Sequence, residues 1–229
     1  MRALILSDIH SNLPALERVL EDAGEVDLIL CAGDIVGYGP WPNECVDLSR
    51  DLGFLSVAGN HDHASVTGIA MGFNPYAEEA VRITYRLLRE ENREYLARLP
   101  ESLGLTLGGR RVAIYHGSPR DPLNEYILPY TAEQVLESFL QETGSDLLIL
   151  GHTHIPFIRH IENRLVINPG SVGQPRDRDP RASYMILETR GGDLEVELRR
   201  VEYPIETVAR KMLQEGFPRI LAQRLFYGW

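Results

Sequence analysis

The sequence predicts an α/β fold in which several parallel strands end at one common edge, and three observations support this. Within about 30 residues an apolar run, a helical pattern and a second apolar run follow one another, which indicates a βαβ unit with parallel strands. Apolar runs and helical patterns continue to alternate along the chain. Five apolar runs are each followed at once by Asp, Asn or His, the position where open α/β sheets hold ligands.

The N-terminal part of the chain supplies the first three of these strands. Asn12 can cap the first helix, Pro14 is tolerated in its first turn, and Gly24 is expected to end it. The predicted elements are strands at residues 4–6, 26–32 and 54–58 and helices at residues 13–24 and about 43–51.

Residues 75–99 form a strongly charged helical insertion with one apolar face. One interpretation is an amphipathic helix or helical pair packed on the domain. The other is a lid or substrate-selecting segment, because it directly follows the third polar loop.

The C-terminal half is predicted to add a second set of strands. Thr131 and Gln134 stand at capping-box spacing, which predicts a capped helix start. The expected elements are a β-hairpin at 103–107 and 110–115, a helix at 131–143, short strands on either side of Asn163, strands at 182–187 and 194–201, and helices within 205–226. Residues 1–229 are expected to form a single domain.

Composition restricts the function. The net charge of −10 argues against stable binding of nucleic acid, whose phosphates are held mainly by Lys and Arg, but it does not exclude a small phosphorylated substrate, a nucleotide included. No tract approaches the roughly 18 apolar residues of a membrane helix, and the N-terminus lacks a cleavage-site pattern. We therefore expect a cytoplasmic protein with no membrane partner.

Seven oxygen or imidazole donors, and no thiolate, follow the apolar runs. Alone, Asp8 could cap a helix and His10 could lie on the surface, but the recurrence of such residues at one predicted edge favours metal ligands. Seven donors exceed the four of a tetrahedral zinc and suit two ions that share a bridging carboxylate. Manganese, iron, zinc, nickel and cobalt all remain open. The candidate ligands are Asp8, His10, Asp34, Asn60, His116, His152 and His154.

The order of these motifs resembles the signature of the calcineurin-like metallophosphoesterases. The motifs are Asp8-x-His10, Gly33-Asp34, Gly59-Asn60-His61-Asp62, His116 and Gly151-His152-x-His154. Residues 168–172 resemble a loop of the compact prokaryotic phosphodiesterase branch. The resemblance implies an α/β (α+β) four-layer αββα sandwich, in which two mixed β-sheets lie between helical layers and a dimetal site occupies the C-terminal ends of the strands.

The resemblance also implies a role for each residue. Asp34 would bridge two divalent ions, and His61 would contact the substrate phosphate, where it stabilises the transition state or protonates the leaving oxygen. The other ligands divide between one ion held by Asp8, His10 and His154 and a second held by Asn60, His116 and His152.

Two departures from the family pattern bear on the substrate. Protein serine/threonine phosphatases of this family carry Gly-Asp-x-x-Asp-Arg-Gly in the second motif and Glu after the histidine of the third. Here residues 33–39 lack that Asp and Arg, and Asp62 stands in place of the Glu. This disfavours a protein phosphatase and leaves the partner of His61 unidentified. Arg176 is the candidate to neutralise a substrate phosphate, alongside Asn60 and His61.

These residues predict a phosphodiesterase that hydrolyses small-molecule phosphodiesters through a metal-bridging hydroxide. The alternatives are a phosphomonoesterase, a dinucleoside polyphosphate hydrolase and a non-catalytic metal-binding regulator; a nuclease is disfavoured by the acidic balance. The sequence does not identify the natural substrate or the native metal, and it leaves a homo-oligomer open.

Overall fold

The computed structural model describes residues 1–191 and 193–229, which form two five-stranded β-sheets with flanking helices. The strands are β1 (Arg2–Leu6), β2 (Leu28–Cys31), β3 (Leu55–Ser56), β4 (Ser102–Leu107), β5 (Arg110–Tyr115), β6 (Leu147–Ile149), β7 (Phe157–Ile161), β8 (Arg164–Asn168), β9 (Ala182–Arg190) and β10 (Asp193–Val201). The helices are α1 (Leu13–Ala23), α2 (Pro42–Asp51), α3 (Asn60–Thr67), α4 (Pro75–Leu87), α5 (Glu90–Ala97), α6 (Glu133–Thr143), α7 (Ile205–Gln214) and α8 (Arg219–Arg224).

Both sheets are mixed, as predicted. The first has the order β10-β9-β1-β2-β3, with β1, β2 and β3 parallel and β9 antiparallel to β1. The second has the order β4-β5-β6-β8-β7, with β5, β6 and β8 parallel and both edge strands antiparallel. Because parallel neighbours run in one direction, the carboxyl ends of the central strands of each sheet meet at one edge.

The alternation of side chains along the strands produces the four layers. On β1, Ala3 and Ile5 belong to the core between the two sheets, whereas Leu4 and Leu6 belong to the core under the helices. A third apolar cluster joins α6 to the outer face of the second sheet. Strands buried on both faces require continuous apolar runs, and each fully buried Leu or Ile contributes about 1.5–3 kcal/mol. The predicted sandwich is therefore confirmed.

Helix α1 begins and ends where the sequence predicts. The Asn12 Oδ1 atom accepts a hydrogen bond from the backbone N–H of Ala15 at 3.3 Å, which satisfies one of the free donors at the helix start. Gly24 ends the helix at φ +65°, a conformation that glycine adopts without strain. The fixed start of α1 thereby defines where the loop between β1 and α1, which carries Asp8 and His10, ends.

Three predictions about local structure are wrong. The third strand covers only Leu55–Ser56, and the polar residues after it begin helix α3 instead of continuing as a loop. That helix starts at Asn60 because the Asp62 carboxylate accepts the Gly59 N–H at 3.0 Å and closes the first turn. The capping box at Thr131 does not form, because its hydroxyl accepts the Leu128 N–H at 3.0 Å and α6 begins two residues later.

The charged segment at 75–99 is a helical pair. Helix α4 buries Ala77, Ala80 and Ile83, and α5 buries Leu96 in the same core under the first sheet. Over the described part of the chain, no helix combines the length and the apolar character that crossing a membrane would require.

Candidate metal centre

The seven predicted donors come together at the edge where the central strands of both sheets end. Asp8 and His10 follow β1, Asp34 follows β2, and Asn60 is the first residue of α3. His116 follows β5, and the pair His152 and His154 follows β6. Each sheet supplies part of the set, so the cluster exists only when the two sheets pack together.

Most of these donors lie on left-handed backbone. Their φ angles are 54° for Asp8, 48° for His10, 56° for Asp34, 67° for His152 and 60° for His154. Such a conformation costs about 1–3 kcal/mol for each non-glycine residue and persists only where the surroundings hold it. Five of the eight described non-glycine residues with positive φ are donors of this cluster, so backbone strain is concentrated at the site.

Backbone hydrogen bonds hold the strained loops. The Asp8 N–H donates to Gly33 O and the His10 N–H donates to Asp34 O, both at 3.0 Å, so the first two ligand loops are tied to each other. The 168–173 loop adds a second tie, since the Ser171 hydroxyl and the Gly173 N–H donate to Asp8 O at 2.7 and 2.9 Å. The 168–173 loop contains none of the candidate ligands, but it holds the backbone of Asp8 in place.

One group of donors surrounds a point beside β1. The Nε2 atoms of His10 and His154 lie 3.1 Å apart, and His154 Nε2 lies 3.2 Å from Asp8 Oδ1. His10 Nε2 is 3.7 Å from Asp8 Oδ1 and 3.6 Å from Asp34 Oδ2. Four atoms from three strand ends therefore face a common centre.

A second group adjoins it around His116. The His116 Nε2 atom lies 3.1 Å from both Asn60 Oδ1 and His152 Nδ1 and 3.4 Å from Asp34 Oδ2. The same oxygen of Asp34 thus faces both groups. One carboxylate oxygen is therefore common to the two donor groups.

Each of the four histidines uses its outer nitrogen to donate to a backbone carbonyl. These bonds hold the rings in one tautomer and direct the lone pair of the other nitrogen into the cluster. They join His10 Nδ1 to Val36 O at 3.1 Å, His116 Nδ1 to Ala32 O at 2.8 Å, His154 Nδ1 to Gln174 O at 2.5 Å, and His152 Nε2 to Asn124 O at 3.1 Å.

Hydrogen bonds also hold one oxygen of each of the two carboxylates. Asp8 Oδ2 accepts from the Ser7 hydroxyl at 2.6 Å and from the His152 N–H at 3.1 Å, while Asp34 Oδ1 accepts from the His61 N–H at 2.8 Å. The other oxygens, Asp8 Oδ1 and Asp34 Oδ2, are buried and have no hydrogen-bond partner among the described residues. Both oxygens lie within 3.7 Å of His10 Nε2, and buried acceptors without a donor are costly unless a cation satisfies them, so the donor set fits divalent metal ions.

The charges of the cluster favour a cation as well. Burial alone would raise the pKa of Asp34, but His116 and His61 hold it well below its usual range. Burial opposes protonation of His116, yet Asp34 raises the pKa of that imidazole to about 9. Burial and the neighbouring His116 lower the pKa of His152 to about 3. The centre is therefore an anionic site that attracts one or more positive charges.

His61 lies beside the cluster, and no carboxylate of the described residues pairs with its ring. Its ring is packed against the rings of Tyr38, Phe73 and His10, with centroids 4.4, 4.7 and 4.9 Å away. Its Nδ1 atom is buried and forms no hydrogen bond within the described part of the chain, and burial lowers the pKa of the imidazole to about 4. Aromatic packing orients this side chain.

Asp62 has a structural role that leaves it unavailable to His61. Its two oxygens accept the N–H groups of Gly59 at 3.0 Å and Val36 at 2.9 Å. Burial, followed by the nearby Asp34, raises its pKa to about 7. The side chain therefore joins the start of α3 to the second ligand loop.

A cavity of about 470 Å³ opens onto the donor cluster. Arg176 lines it as expected, and its Nη2 donates to Gln174 Oε1 at 3.1 Å and to Tyr38 Oη at 3.3 Å. Its Nε is buried without a partner. The full lining is Asp34, Tyr38, Asn60, His61, Met71, Gly72, Phe73, Asn74, Ala77, Asn124, Tyr126, His152, His154 and Arg176.

Several residues of the site were missed from the sequence. Ser7 and Ser171 hold Asp8, while Phe73, Asn74 and Tyr126 line the cavity. The serines lie next to recognisable motifs, so their nearness to Asp8 and to the 168–172 loop was an available signal. Phe73, Asn74 and Tyr126 occur in segments without helical or strand periodicity, so no sequence signal indicated them.

Comparisons with known proteins identify the family and the fold. The family model of the calcineurin-like phosphoesterase superfamily domain matches residues 1–192. The crystal structure of a metallophosphoesterase from Sphaerobacter thermophilus superposes with a TM-score of 0.86 at 41% identity, covering 100% of this chain and 99% of that one. MJ0912, an uncharacterized protein of Methanocaldococcus jannaschii, is 39% identical over 98% of this chain and 97% of its own length. The phosphodiesterase YfcE of Escherichia coli K12 is 28% identical over 82% of this chain and 88% of its own.

Proposed function

The chain belongs to the calcineurin-like phosphoesterase superfamily, and from this premise we propose that it is a metal-dependent phosphodiesterase acting on small phosphodiesters. The observation that carries the proposal is the pair of donor groups that share Asp34 Oδ2 at the floor of an open cavity. YfcE, which is named a phosphodiesterase, supports the choice among phosphoric ester hydrolases.

Two divalent ions are proposed, one for each donor group. Asp34 is the shared ligand. The other ligands are Asp8, His10 and His154 for one ion and Asn60, His116 and His152 for the second. When bound, such ions supply Lewis-acid activation of water and neutralise charge on the phosphoryl oxygens. Mixed nitrogen and oxygen donors accept manganese, iron, zinc, nickel or cobalt.

The remaining residues have defined tasks in the hydrolysis. The reaction joins the oxygen of one water to phosphorus and breaks one bond between phosphorus and an ester oxygen, and the released alcohol takes up one water proton. His61 lines the cavity and is proposed to give a hydrogen bond or the proton to that leaving oxygen. Asn60 and Arg176 line the same cavity and are proposed to contact the phosphoryl oxygens.

The cavity suits a diester better than a monoester. Among its described lining residues, Arg176 is the one with a cationic side chain, so the proposed ions and this guanidinium together would neutralise the phosphoryl group. The volume of about 470 Å³ also falls in the range of pockets that bind whole small molecules, so both ester groups can be accommodated.

The test is hydrolysis of bis(p-nitrophenyl) phosphate against p-nitrophenyl phosphate. The protein is freed of metal with a chelator and then supplied with each of the five metals in turn. We expect metal-dependent activity with kcat/KM at least about tenfold higher for the diester. Preference for the monoester would establish the phosphomonoesterase alternative. A protein that binds metal but hydrolyses neither ester would be a non-catalytic metal-binding regulator.

Replacing Arg176 by Ala is expected to raise KM for the diester about 10- to 100-fold with a smaller effect on kcat. The reason is that a hydrogen bond to a charged group contributes about 1.5–3 kcal/mol, which the variant loses in the bound state. The measurement is steady-state kinetics of the metal-loaded protein. Arg210→Ala, an exposed position on α7, is the matched control and should leave KM unchanged. An unchanged KM in the Arg176 variant would remove this residue from the phosphate site.

A further inference from the structure

Tyr126 presents a fixed aromatic surface at the cavity. Its ring stacks on the ring of His152, with centroids 4.1 Å apart and an angle of 24° between the planes. The side chain lines the cavity and is nevertheless 55% exposed. One face is covered by a metal-ligand candidate and the other side is open, so the ring is held ready to stack on a planar group.

A second apolar surface lies on a different segment of the lining. Met71 is 86% exposed, and Phe73 packs beside His61 with a ring-centroid distance of 4.7 Å. An exposed methionine has flexible, polarisable contacts that suit an aromatic ligand. The cavity therefore offers apolar contact next to both His61 and His152, beyond what a phosphoryl group needs.

Two side-chain amides of the lining have unused hydrogen-bonding groups. Asn124 Nδ2 donates to Asp121 Oδ1 at 3.0 Å, while Asn124 Oδ1 has no hydrogen bond within the described residues. Asn74 Oδ1 caps α4 by accepting from Tyr76 and Ala77, both at 3.1 Å, and Asn74 Nδ2 has no partner over the same part of the chain. The lining of the cavity thus offers one amide acceptor and one amide donor.

We infer that one ester group of the substrate is a nucleoside, whose base stacks on Tyr126, so that the enzyme acts on small nucleotidyl phosphodiesters. This inference rests on the proposed phosphodiesterase function. A base has both the planar face for Tyr126 and edge donors and acceptors for the two amides, whereas an alkyl ester group has neither. The net charge of −10 favours a small nucleotide over a nucleic-acid strand.

The test compares the binding of AMP and of ribose 5-phosphate, which differ only in the base. Isothermal titration calorimetry on the manganese-loaded protein should give an affinity for AMP about 10- to 100-fold higher, the range of stacking a base on an aromatic side chain. Tyr126→Phe should keep this ratio, and Tyr126→Leu should reduce it to nearly one. The affinity for ribose 5-phosphate should stay the same in every variant. Tyr130→Leu, an 80% exposed tyrosine outside the lining, is the matched control and should keep the ratio.

Several outcomes would overturn the inference: equal affinities for the two ligands, binding of neither, or an unchanged ratio in Tyr126→Leu. This failure is separable from failure of the proposed function. If the nitrophenyl diester is hydrolysed while AMP and ribose 5-phosphate bind equally, only the nucleoside assignment is lost. If AMP is preferred but no diester is hydrolysed with any metal, the base-binding surface stands and the phosphodiesterase activity is rejected.

Discussion

Replacing Asp34 by Asn should lower kcat/KM for the diester about a thousandfold and remove most of the bound metal. The shape of the side chain is kept, and its Oδ1 can still accept the His61 N–H that it accepts at 2.8 Å in the wild type. The amide nitrogen then takes the place of Oδ2, which faces His10 and His116 at 3.6 and 3.4 Å, and it has no lone pair for a cation. Metal ions contribute several kcal/mol to such reactions, and each 1.4 kcal/mol corresponds to tenfold.

The measurement combines kinetics, metal analysis and thermal unfolding. The wild type should bind two ions per chain and gain about 2.7 kcal/mol of stability for each ion at a metal concentration a hundred times its Kd. The variant should gain little, and its metal-free form should be less stable than the metal-free wild type near neutral pH, because Asp34 raises the pKa of His116 to about 9 and the amide loses that ion pair. Asp51→Asn, at an exposed carboxylate, is the control. Full metal content in the Asp34 variant would contradict the shared-ligand assignment.

The candidate metal ligands could be predicted because they follow recognisable apolar runs in the sequence. Asp8 and Asp34 each follow an apolar run, and the βαβ connection makes those runs parallel neighbours, so their ends must meet. His152 and His154 belong to the other sheet, and their nearness to Asp8 depends on how the two sheets pack. The sequence indicated this nearness only indirectly, through the repeated occurrence of glycine and polar residues after apolar runs.

The orientation of each donor could not be predicted, since it depends on backbone atoms. Val36 and Gln174 accept from His10 and His154 through carbonyl oxygens, and every residue has one. The surroundings of His61 could not be predicted either, because the segments that form them lack a recognisable periodicity. Helix α3 begins with four polar residues and lacks an apolar face, so no helical period marks it, and Phe73 reaches His61 from an irregular segment.

Replacing His61 by Ala should lower kcat about 10²- to 10⁴-fold, the usual contribution of a positioned proton donor or acceptor, while both ions stay bound. The ions should remain because His61 holds Asp34 through its backbone N–H, which alanine retains, and because the ring packs on Tyr38 and Phe73 outside the two donor groups. The matched control is His63→Ala, an exposed histidine two residues further along α3, which should leave kcat unchanged.

The leaving group distinguishes the two tasks proposed for His61. If its imidazole protonates the leaving oxygen, the His61→Ala loss should be larger for diphenyl phosphate than for bis(p-nitrophenyl) phosphate, because p-nitrophenolate leaves readily without a proton. An equal loss on both diesters indicates that the ring stabilises the phosphoryl oxygens instead. An unchanged kcat on both would reject either task. Loss of metal from the variant would show that the ring, through its contact with His10 at 4.9 Å, helps to hold the ligands in place.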